Sequence, residues 1–292
     1  MIDKKFCIVV PVFENKENLE KFIKTAESLL NSNENIDILF VNDGNNYKLE
    51  DLINTNYKNF HILNNKKNIG YGASIKRAVQ LCNSEIIGII DCDNSYDLNQ
   101  LIDLLTKFET YDCNLLVGRR VFEYRDSYFK IQFRKIINSL STTIFNYKVE
   151  DINSGLRVFF RKDFMKDINV FPDKFSITST QTLCTIARNK DVKYIDTKYL
   201  KRDGKSKINI LIDPIRFIYL IFKIFLIFSP IKFFGGFGVS IIALSIFIFI
   251  YSLLFLDKIL DITVLILFIA GLNFIFFGLI AEIIKIYSNK KD

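Results

Sequence analysis

The sequence predicts an α/β domain followed by membrane helices, and three observations lead to this fold class. Short apolar runs rich in β-branched residues alternate with segments of helical spacing between Phe6 and Val117. Acidic and amide residues follow several of these runs, at the point where parallel strands would end. Most charged residues precede position 208, and two long apolar segments follow it. We therefore expect a mostly parallel, doubly wound sheet with a C-terminal membrane anchor.

Five short, largely apolar runs are typical of strands that are buried on both faces of a sheet. They are Phe6–Val10, Ile36–Val41, Phe60–Leu63, Ile86–Ile90 and Leu115–Val117. The intervening segments predict helices packed on the sheet, because apolar residues recur in them at three- and four-residue spacing. These helices are Glu17–Leu30, Leu49–Ile53, Ala73–Cys82 and Leu98–Phe108. Pro11 is expected to end the first strand, since proline donates no backbone N–H to a sheet.

Composition disfavours several classes of function. The chain has 292 residues, a net charge of +7 and five scattered cysteines without CxxC spacing. That pattern is typical of reduced thiols in a cytosolic domain rather than of a zinc site or a disulfide framework. His61 is the single histidine, which disfavours a histidine-based triad or metal centre. The basic residues cluster near the apolar segments, so the positive charge favours membrane lipids over nucleic acid as a partner.

Two uncharged segments are long enough to cross a bilayer with a hydrocarbon core of about 30 Å. Phe233–Leu256 has twenty-four residues and Ile262–Ala281 has twenty, with a five-residue connection between them. A buried helix pair of a soluble protein is the alternative, but two such lengths joined so tightly favour a transmembrane hairpin. The flanking lysines are Lys223, Lys232, Lys285, Lys290 and Lys291, whereas the connection has one lysine and two aspartates. Both ends are therefore expected on the cytoplasmic side of the inner membrane.

These patterns divide the chain into a cytoplasmic domain, a juxtamembrane segment, two spans and a tail. The predicted ranges are 1–207, 208–232, 233–256, 262–281 and 282–292, in that order. Within the juxtamembrane segment, Arg216 and Lys223 are seven residues apart in an otherwise apolar helix. That spacing favours a helix lying in the membrane interface with a basic face, and a soluble core helix is the alternative. Gly235, Gly236 and Gly238 would permit close packing between the spans or between protomers of a homo-oligomer.

The stretch Glu85–Asp97 carries the strongest chemical signal. A predicted buried strand ends there in Asp91, Cys92 and Asp93. If the strand continued, its alternation would place Asp91 and Asp93 on one face and Cys92 on the other. Paired carboxylates at a strand end can hold a divalent metal that also binds substrate phosphates. An ordinary acidic turn is the alternative.

Other strand ends contribute polar groups to the same predicted edge of the sheet. Glu14 follows the first strand, Asp43 follows the second, and a loop with Asn68, Gly70 and Gly72 follows the third. Glycines let a main chain approach a phosphate, and the start of the next helix offers unpaired N–H groups to an anion. For Asp43, a structural role in its turn is the alternative.

Seven segments resemble, in chain order, those of family 2 glycosyltransferases, which have the nucleotide-diphospho-sugar transferase fold (GT-A, Rossmann-like). They are VPVFENKENL, VNDGNN, NIGYGASIKRA, DCDNSYD, VGRR, DINSGLRVFFR and KRDGKSK. Together with the predicted hairpin they resemble the polyprenyl-phosphate glycosyltransferases, of the dolichyl-phosphate mannosyltransferase and bacterial undecaprenyl-phosphate glucosyltransferase types. The resemblance covers nearly all of residues 6–207.

The resemblance implies roles for residues in each segment. The nucleotide would be bound by Pro11, Glu14, Asp43, Asn68, Gly70 and Asp91. Asp91 and Asp93 would hold Mg²⁺ or Mn²⁺ across the diphosphate. The catalytic set would be Asp91, Asp93, Asp151 and Arg157, and the acceptor phosphate would be bound by Arg134, Arg202, Ser206 and Lys207. Arg157 would bind phosphate bidentately, and Asp151 would serve the donor or acceptor pocket or, alternatively, anchor an arginine.

The sequence departs from the family pattern at three places. Glu14-Asn15 stands where the family has Asn-Glu, and Asn42 replaces the first acid of the base-binding turn. Gln181-Thr182 stands where a helix glutamate is common. These departures leave open a reduced activity, an altered specificity, or a membrane subunit that binds a nucleotide sugar without turnover.

We expect a metal-dependent hexosyltransferase. It would transfer a hexose with inversion from UDP-glucose, or a similar nucleotide diphosphate sugar, to a membrane polyprenyl phosphate. A lipid phosphate is already largely ionised at neutral pH, so it needs positioning by cations rather than a base. A sugar hydroxyl would need a base, and Asp151 would then have to serve as that base. Transfer to a glycan or glycolipid hydroxyl is therefore the alternative within the same class.

Overall fold

The computed structural model describes residues 5–14, 16–30, 35–53, 57–122, 128–174, 176–200, 213–256, 258 and 260–288. The chain forms two compact units, which divide between Ile218 and Tyr219. The predicted boundary at residue 207 falls outside the described residues, so the ranges given to the domain and the juxtamembrane segment stay predictions.

The first unit alternates strands with helices. Its strands are β1 (Phe6–Val12), β2 (Ile36–Asn42), β3 (Phe60–Asn64), β4 (Ile86–Ile89), β5 (Leu115–Phe122), β6 (Arg157–Phe160) and β7 (Val192–Tyr199). Its helices are α1 (Lys16–Leu30), α2 (Tyr71–Leu81), α3 (Leu98–Thr110), α4 (Tyr128–Phe145), α5 (Arg161–Lys166) and α6 (Ile177–Ala187), with a 3-10 turn at Leu49–Asp51. Helix α7 (Asp213–Phe228) crosses the boundary between the units. The predicted α/β class is therefore confirmed.

The strands form one sheet in the order β3-β2-β1-β4-β6-β5-β7. Strands β1 to β4 are mutually parallel where they pair, and β5 is parallel to β7. Strand β6 runs antiparallel to both β4 and β5, and its first residue, Arg157, pairs with the last residue of β4, Ile89. This reversal matters for function because it brings the loop before β6, residues 151–156, to the edge where β4 ends.

Strand β1 runs through Pro11 instead of ending before it. At that position the neighbouring strand is β2, where Pro11 pairs with Val41, whereas the pairing of β1 with β4 stops at Val9. Backbone groups alternate between the two neighbours of a parallel strand, and the Val9 carbonyl accepts from Ile90 on the β4 side. The nitrogen of Pro11 thus faces the β4 side, where the pairing of β1 with β4 has already ended, so no ladder hydrogen bond is lost and the proline is tolerated.

Strand β4 ends at Ile89, and the chain then bends instead of continuing as a strand. Asn94 within the bend has a φ of 61°, in the left-handed region. The expectation that Asp91 and Asp93 share one face of an extended strand is therefore wrong, because no strand geometry persists at those positions. Both residues still lie at the carboxyl edge of the sheet, where the site was predicted.

The core between α1 and the sheet is closed by three phenylalanines. Phe40 of β2 makes edge-to-face contacts with Phe22 of α1 and with Phe60 of β3, at ring centroid distances of 6.1 and 5.4 Å. All three side chains are buried. Because such contacts add to the burial of large apolar surfaces, they fix the first helix on the sheet and so fix the strand ends that carry the polar residues.

The second unit contains an antiparallel pair of helices, α8 (Pro230–Phe255) and α9 (Asp261–Ser288), after the end of α7. By length and composition both are able to cross a membrane. Only 17% and 11% of their most apolar stretches are buried within the protein, so they do not resemble core helices of a soluble domain. The Ser245 hydroxyl donates to the carbonyl of Val264 over 2.8 Å, which links the two helices within the hairpin.

Glycines set the closest approach of α8 and α9. A Cβ on Gly238 would stand 2.7 Å from the carbonyl oxygen of Gly271, whereas one on Gly235 or Gly236 would meet nothing within 4 Å among the described residues. Of the three glycines predicted to permit helix packing, Gly238 therefore lies at the contact within this hairpin.

We expect Gly238→Ala to lower the stability of the hairpin by about 1–3 kcal/mol, because its methyl group would collide with main chain. Gly235→Ala is the matched control and is expected to be neutral or slightly stabilising, since alanine favours helix more than glycine does. Thermal denaturation of the purified protein in detergent measures both. Equal stability of the two variants would show that the glycine contact does not set the helix spacing.

Candidate active site

The carboxylate of Asp91 is held at the carboxyl edge of the sheet by two other segments. Tyr71, the first residue of α2, donates from its hydroxyl to Asp91 Oδ1 over 2.9 Å. The second oxygen, Oδ2, lies against the main chain of Gly155, where a Cβ would stand only 2.5 Å away. Burial raises the pKa of Tyr71 well above its usual value and the charge of Asp91 raises it further, so the hydroxyl remains a donor.

Asp93 differs from Asp91 in its surroundings. It is 3% exposed, and its Oδ1 accepts from the backbone N–H of Ser95 at 3.0 Å and from the Ser95 hydroxyl. The thiol of Cys92, between the two aspartates, contacts the carbonyl oxygen of Pro11 at 3.5 Å. Asp91 is half-buried, whereas Asp93 is buried and bonded within its own turn. Asp91 is therefore the more accessible of the predicted metal ligands.

Asp43 organises the loop before α2. Its Oδ1 accepts from the backbone N–H of Ile69 at 2.9 Å and its Oδ2 from that of Gly70 at 3.1 Å. The Asn65 amide donates to the same carboxylate at 3.2 Å, and Asp43 is 4% exposed. These bonds support the structural alternative for Asp43, and its base-binding role stays a prediction.

The start of α2 is not an open anion site. The backbone N–H of Gly72 donates to the carbonyl of Lys174 at 3.0 Å, and that of Ala73 donates to the carbonyl of Asp173 at 2.7 Å. The expectation that these groups face a phosphate is therefore wrong, because the segment before α6 caps the helix. The glycine at position 72 has the corresponding packing role, since a Cβ there would collide with the carbonyl of Pro172.

A chain of amides connects the carboxyl ends of the first three strands. Asn42 donates to Asn64 Oδ1 at 2.9 Å and accepts from both the backbone and the side-chain amide of Asn45. Asn45 in turn accepts from the backbone N–H of Glu14 at 2.7 Å. The side chains of Glu14 and Asn68 are exposed, and Pro11 is half-buried. The remaining predicted nucleotide-binding residues thus lie around the same edge as Asp91.

Asp151 forms a bidentate ion pair with Arg120. The guanidinium donates through Nε at 2.8 Å and Nη2 at 2.7 Å, and the backbone N–H of Arg120 adds a third bond at 3.1 Å. Burial alone would raise the pKa of Asp151, but the adjacent guanidinium outweighs it and lowers that pKa. A general base role for Asp151 does not fit this geometry, because the carboxylate is fully paired and a weak base. The alternative of an arginine anchor fits.

Arg157 is a buried structural cation. It has no exposed surface, and it donates to the carbonyl of Ser154, the carbonyl of Thr178 at 2.7 Å and Gln181 Oε1 at 3.1 Å. Burial lowers its pKa to about 10, so it remains charged at neutral pH. The predicted bidentate phosphate contact does not fit, because the guanidinium is enclosed. Arg157 instead holds the loop of residues 151–156 against α6.

A small pocket lies beside the Asp151–Arg120 pair, within the first unit. It has a volume of about 70 Å³, and its walls are Arg120, Phe133, Arg134, Ile137, Asn138, Asp151, Ile152, Asn153 and Phe217. The Arg134 guanidinium lies over the ring of Phe122 at 4.2 Å, which orients its charge. The pocket thus combines apolar walls with a second arginine and two amides. Neither Asn138 nor Phe217 was predicted, because one ring and one amide in helices give no local signal.

The other residues assigned to the acceptor phosphate, Arg202, Ser206 and Lys207, lie outside the described residues. The structure therefore places Arg134 of that set and leaves the other three as predictions.

The residues at Asp91 fit a hard divalent cation. Carboxylate oxygens are the ligands that Mg²⁺ and Mn²⁺ prefer. Within the described parts of the chain, no group of three or more His, Cys, Asp and Glu side chains could hold a metal. A cation at Asp91 would therefore take further oxygen ligands from a bound phosphate group, as such ions often do.

A family model for glycosyl transferase family 2 matches residues 7–168, more than half of the chain. The chain therefore belongs to glycosyl transferase family 2. The sheet and its helices have the predicted GT-A architecture, the fold of nucleotide-sugar glycosyltransferases.

Solved structures of glucosyl-3-phosphoglycerate synthase from Mycobacterium tuberculosis share this fold. One with Mn²⁺, UDP and glucosyl-3-phosphoglycerate has a TM-score of 0.59 at 11% identity, covering 76% of this chain and 80% of that chain. Another with Mg²⁺ and UDP has a TM-score of 0.58 at 12% identity, covering 76% and 79%. Similarity at this identity establishes the fold alone. By sequence, no curated protein matches the chain significantly.

We expect Arg157→Lys to lower the free energy of unfolding by about 2–4 kcal/mol, because one ammonium cannot replace the guanidinium's bonds to three buried acceptors. Arg161→Lys is the matched control, since Arg161 is only partly buried and donates to the carbonyls of Val79 and Gln80. Thermal unfolding measures the difference. Unchanged stability with weakened nucleotide binding would instead support the phosphate role.

Asp151→Asn tests the ion pair with Arg120 through the pH dependence of the free energy of unfolding. The native pKa of Asp151 lies below the unfolded value of about 3.9, so the pair stabilises the protein above that value and loses its effect as pH falls through the native pKa. We expect the variant to be less stable than the wild type at pH 7. We also expect it to lose less stability between about pH 5 and pH 3. Parallel stability curves over that range would contradict the assignment.

Proposed function

We propose that the protein transfers a hexose from a nucleotide diphosphate sugar to a membrane polyprenyl phosphate. The observation that carries the proposal is the pocket that has the Asp151–Arg120 pair and Arg134 among its walls. Asp151, the carboxylate that a hydroxyl acceptor would need as a base, is paired with Arg120. Arg134 lines the adjacent pocket with positive charge, which suits an acceptor that is already an anion.

The donor side of the proposal rests on the family and on Asp91. Nucleotide sugars are the donors of this fold, and structures that share it contain UDP with Mn²⁺ or Mg²⁺. We propose that Asp91 holds such a cation, with Asp93 supporting the turn that presents it. A bound divalent cation would offset the charge that develops on the departing nucleoside diphosphate.

The acceptor side follows from charge and ionisation. A phosphate monoester of a lipid is largely dianionic at neutral pH, its second pKa being about 6. Arg134 would position it, and the Arg120–Asp151 pair would fix the wall of the pocket without removing a proton. A phosphate oxygen would then bond to C1 of the sugar while the bond from C1 to the nucleotide diphosphate breaks, with inversion at C1. No proton need be transferred in this step.

The membrane location rests on the second unit. Helices α8 and α9 expose most of their apolar side chains, which lipid would cover. Arg216 and Lys223 are exposed on α7, before the first of these helices. We propose that α8 and α9 cross the inner membrane as a hairpin with both ends in the cytoplasm, and that the basic residues face anionic lipid head groups.

The direct test is transfer of radiolabelled sugar by the purified protein in detergent, with polyprenyl phosphate, Mn²⁺ or Mg²⁺, and a panel of UDP- and GDP-sugars. We expect label in a lipid-soluble product. Asp91→Ala should abolish transfer, and Arg134→Met should reduce it about tenfold or more, since it removes a charge-assisted hydrogen bond to phosphate. Lys135→Met is the matched control for Arg134, because Lys135 is exposed on the same helix and outside the pocket.

Parallel reactions with phosphoglycerate and with a glycolipid in place of the lipid phosphate separate the alternatives. Label in either of those products, with none in polyprenyl phosphate, would contradict the proposed acceptor. Nucleotide binding without label in any acceptor would favour a non-catalytic subunit.

A further inference from the structure

We infer that Tyr71 is a positioning residue for the metal-binding carboxylate and that Gly155 completes the same clamp. The inference rests on the proposed function, because it concerns how Asp91 is presented to a cation and a nucleotide diphosphate. Tyr71 does not bind the cation itself. It sets the orientation of Asp91 by donating one hydrogen bond to Oδ1.

The hydroxyl of Tyr71 is placed by a rigid main chain. The residue before it, Gly70, donates its N–H to Asp43, and the N–H groups of Gly72 and Ala73 donate to the segment before α6. Backbone anchors at one residue before Tyr71 and at the two residues after it therefore surround the first residue of α2. Because these anchors fix the main chain on both sides of Tyr71, its hydroxyl has little freedom to leave Asp91.

The other half of the clamp is equally constrained. Arg157 donates to the carbonyl of Ser154, and the Ser154 hydroxyl is hydrogen-bonded to that of Tyr96 at 2.8 Å. The next residue, Gly155, lies against Asp91 Oδ2. Any larger residue there would push the carboxylate away from its present position. Buried Arg157 therefore has a role in the clamp, because it holds the loop that places Gly155 against the Asp91 carboxylate.

The clamp matters because Asp91 follows an irregular bend. A carboxylate in such a segment has two side-chain torsions and a main chain outside any strand or helix, so its orientation would be broad without partners. Partners that orient a metal ligand typically change metal affinity by about tenfold to a hundredfold when they are removed. A hydrogen bond that only stabilised the fold would not have that effect.

The test measures how much Mn²⁺ strengthens nucleotide binding. Isothermal titration calorimetry of the full chain in detergent gives the Kd for UDP, and separately for GDP, with and without Mn²⁺. We expect Tyr71→Phe and Gly155→Ala each to reduce the strengthening by Mn²⁺ about tenfold or more, while the metal-free Kd stays the same. Asp91→Asn should abolish the strengthening.

Tyr147→Phe is the matched control. Its hydroxyl also makes a protein hydrogen bond, to the backbone of Val192 at 2.9 Å, on a residue outside the proposed site. It should lower thermal stability without changing the effect of Mn²⁺. If Tyr71→Phe does not fold, Gly155→Ala tests the clamp through the same quantity, the ratio of the nucleotide Kd without Mn²⁺ to the Kd with Mn²⁺.

The clamp would be overturned if Mn²⁺ strengthened nucleotide binding as much in the folded variants as in the wild type but not in Asp91→Asn. That result would leave the proposed function standing. A wild-type protein whose UDP and GDP affinities are both insensitive to Mn²⁺ would contradict the metal-dependent function and the clamp with it.

Discussion

The contact between Asp91 and Gly155 joins the two halves of this site, and much of the surrounding structure depends on it. Asp91 follows a strand of the parallel part of the sheet, whereas Gly155 precedes the one strand of the described sheet that runs the other way. The reversal of β6 places the two segments side by side. The main chain can approach the carboxylate so closely only because glycine has no Cβ. Buried Arg157 then fixes the loop that carries this glycine.

The acidic and basic residues around the site differ in their burial and in their hydrogen bonds. Asp43, Asp93 and Asp151 each accept several hydrogen bonds from their own surroundings and are nearly buried. Burying a charge is costly unless it is paired or hydrogen-bonded, so these bonds stabilise the segments around the site. Asp91 and Arg134 are half-buried and lie at the edge and the pocket respectively. In the proposed reaction, Asp91 would serve the donor and Arg134 the acceptor, and neither role requires proton transfer.

The sequence predicted those features that local patterns determine. Consecutive apolar residues identified the central strands, and the position of Asp91 after such a strand indicated the candidate site. Strand β6 was not identified as a strand, because it begins with a buried arginine rather than with an apolar residue. The roles of Asp151 and Arg157 could not be read from sequence either. Their partners, Arg120 and Thr178, are more than twenty residues away along the chain, and only the fold brings them together.

The proposed function depends most on Asp91, which would present a divalent cation to a nucleotide diphosphate at the edge of the sheet. The most direct measurement is a crystal structure with Mn²⁺ and UDP, with the metal located by its anomalous scattering. We expect an anomalous peak within coordinating distance of an Asp91 oxygen and of the diphosphate, with Tyr71 still bonded to the same carboxylate. An anomalous peak away from Asp91, or UDP bound with no contact between its diphosphate and this edge, would contradict it.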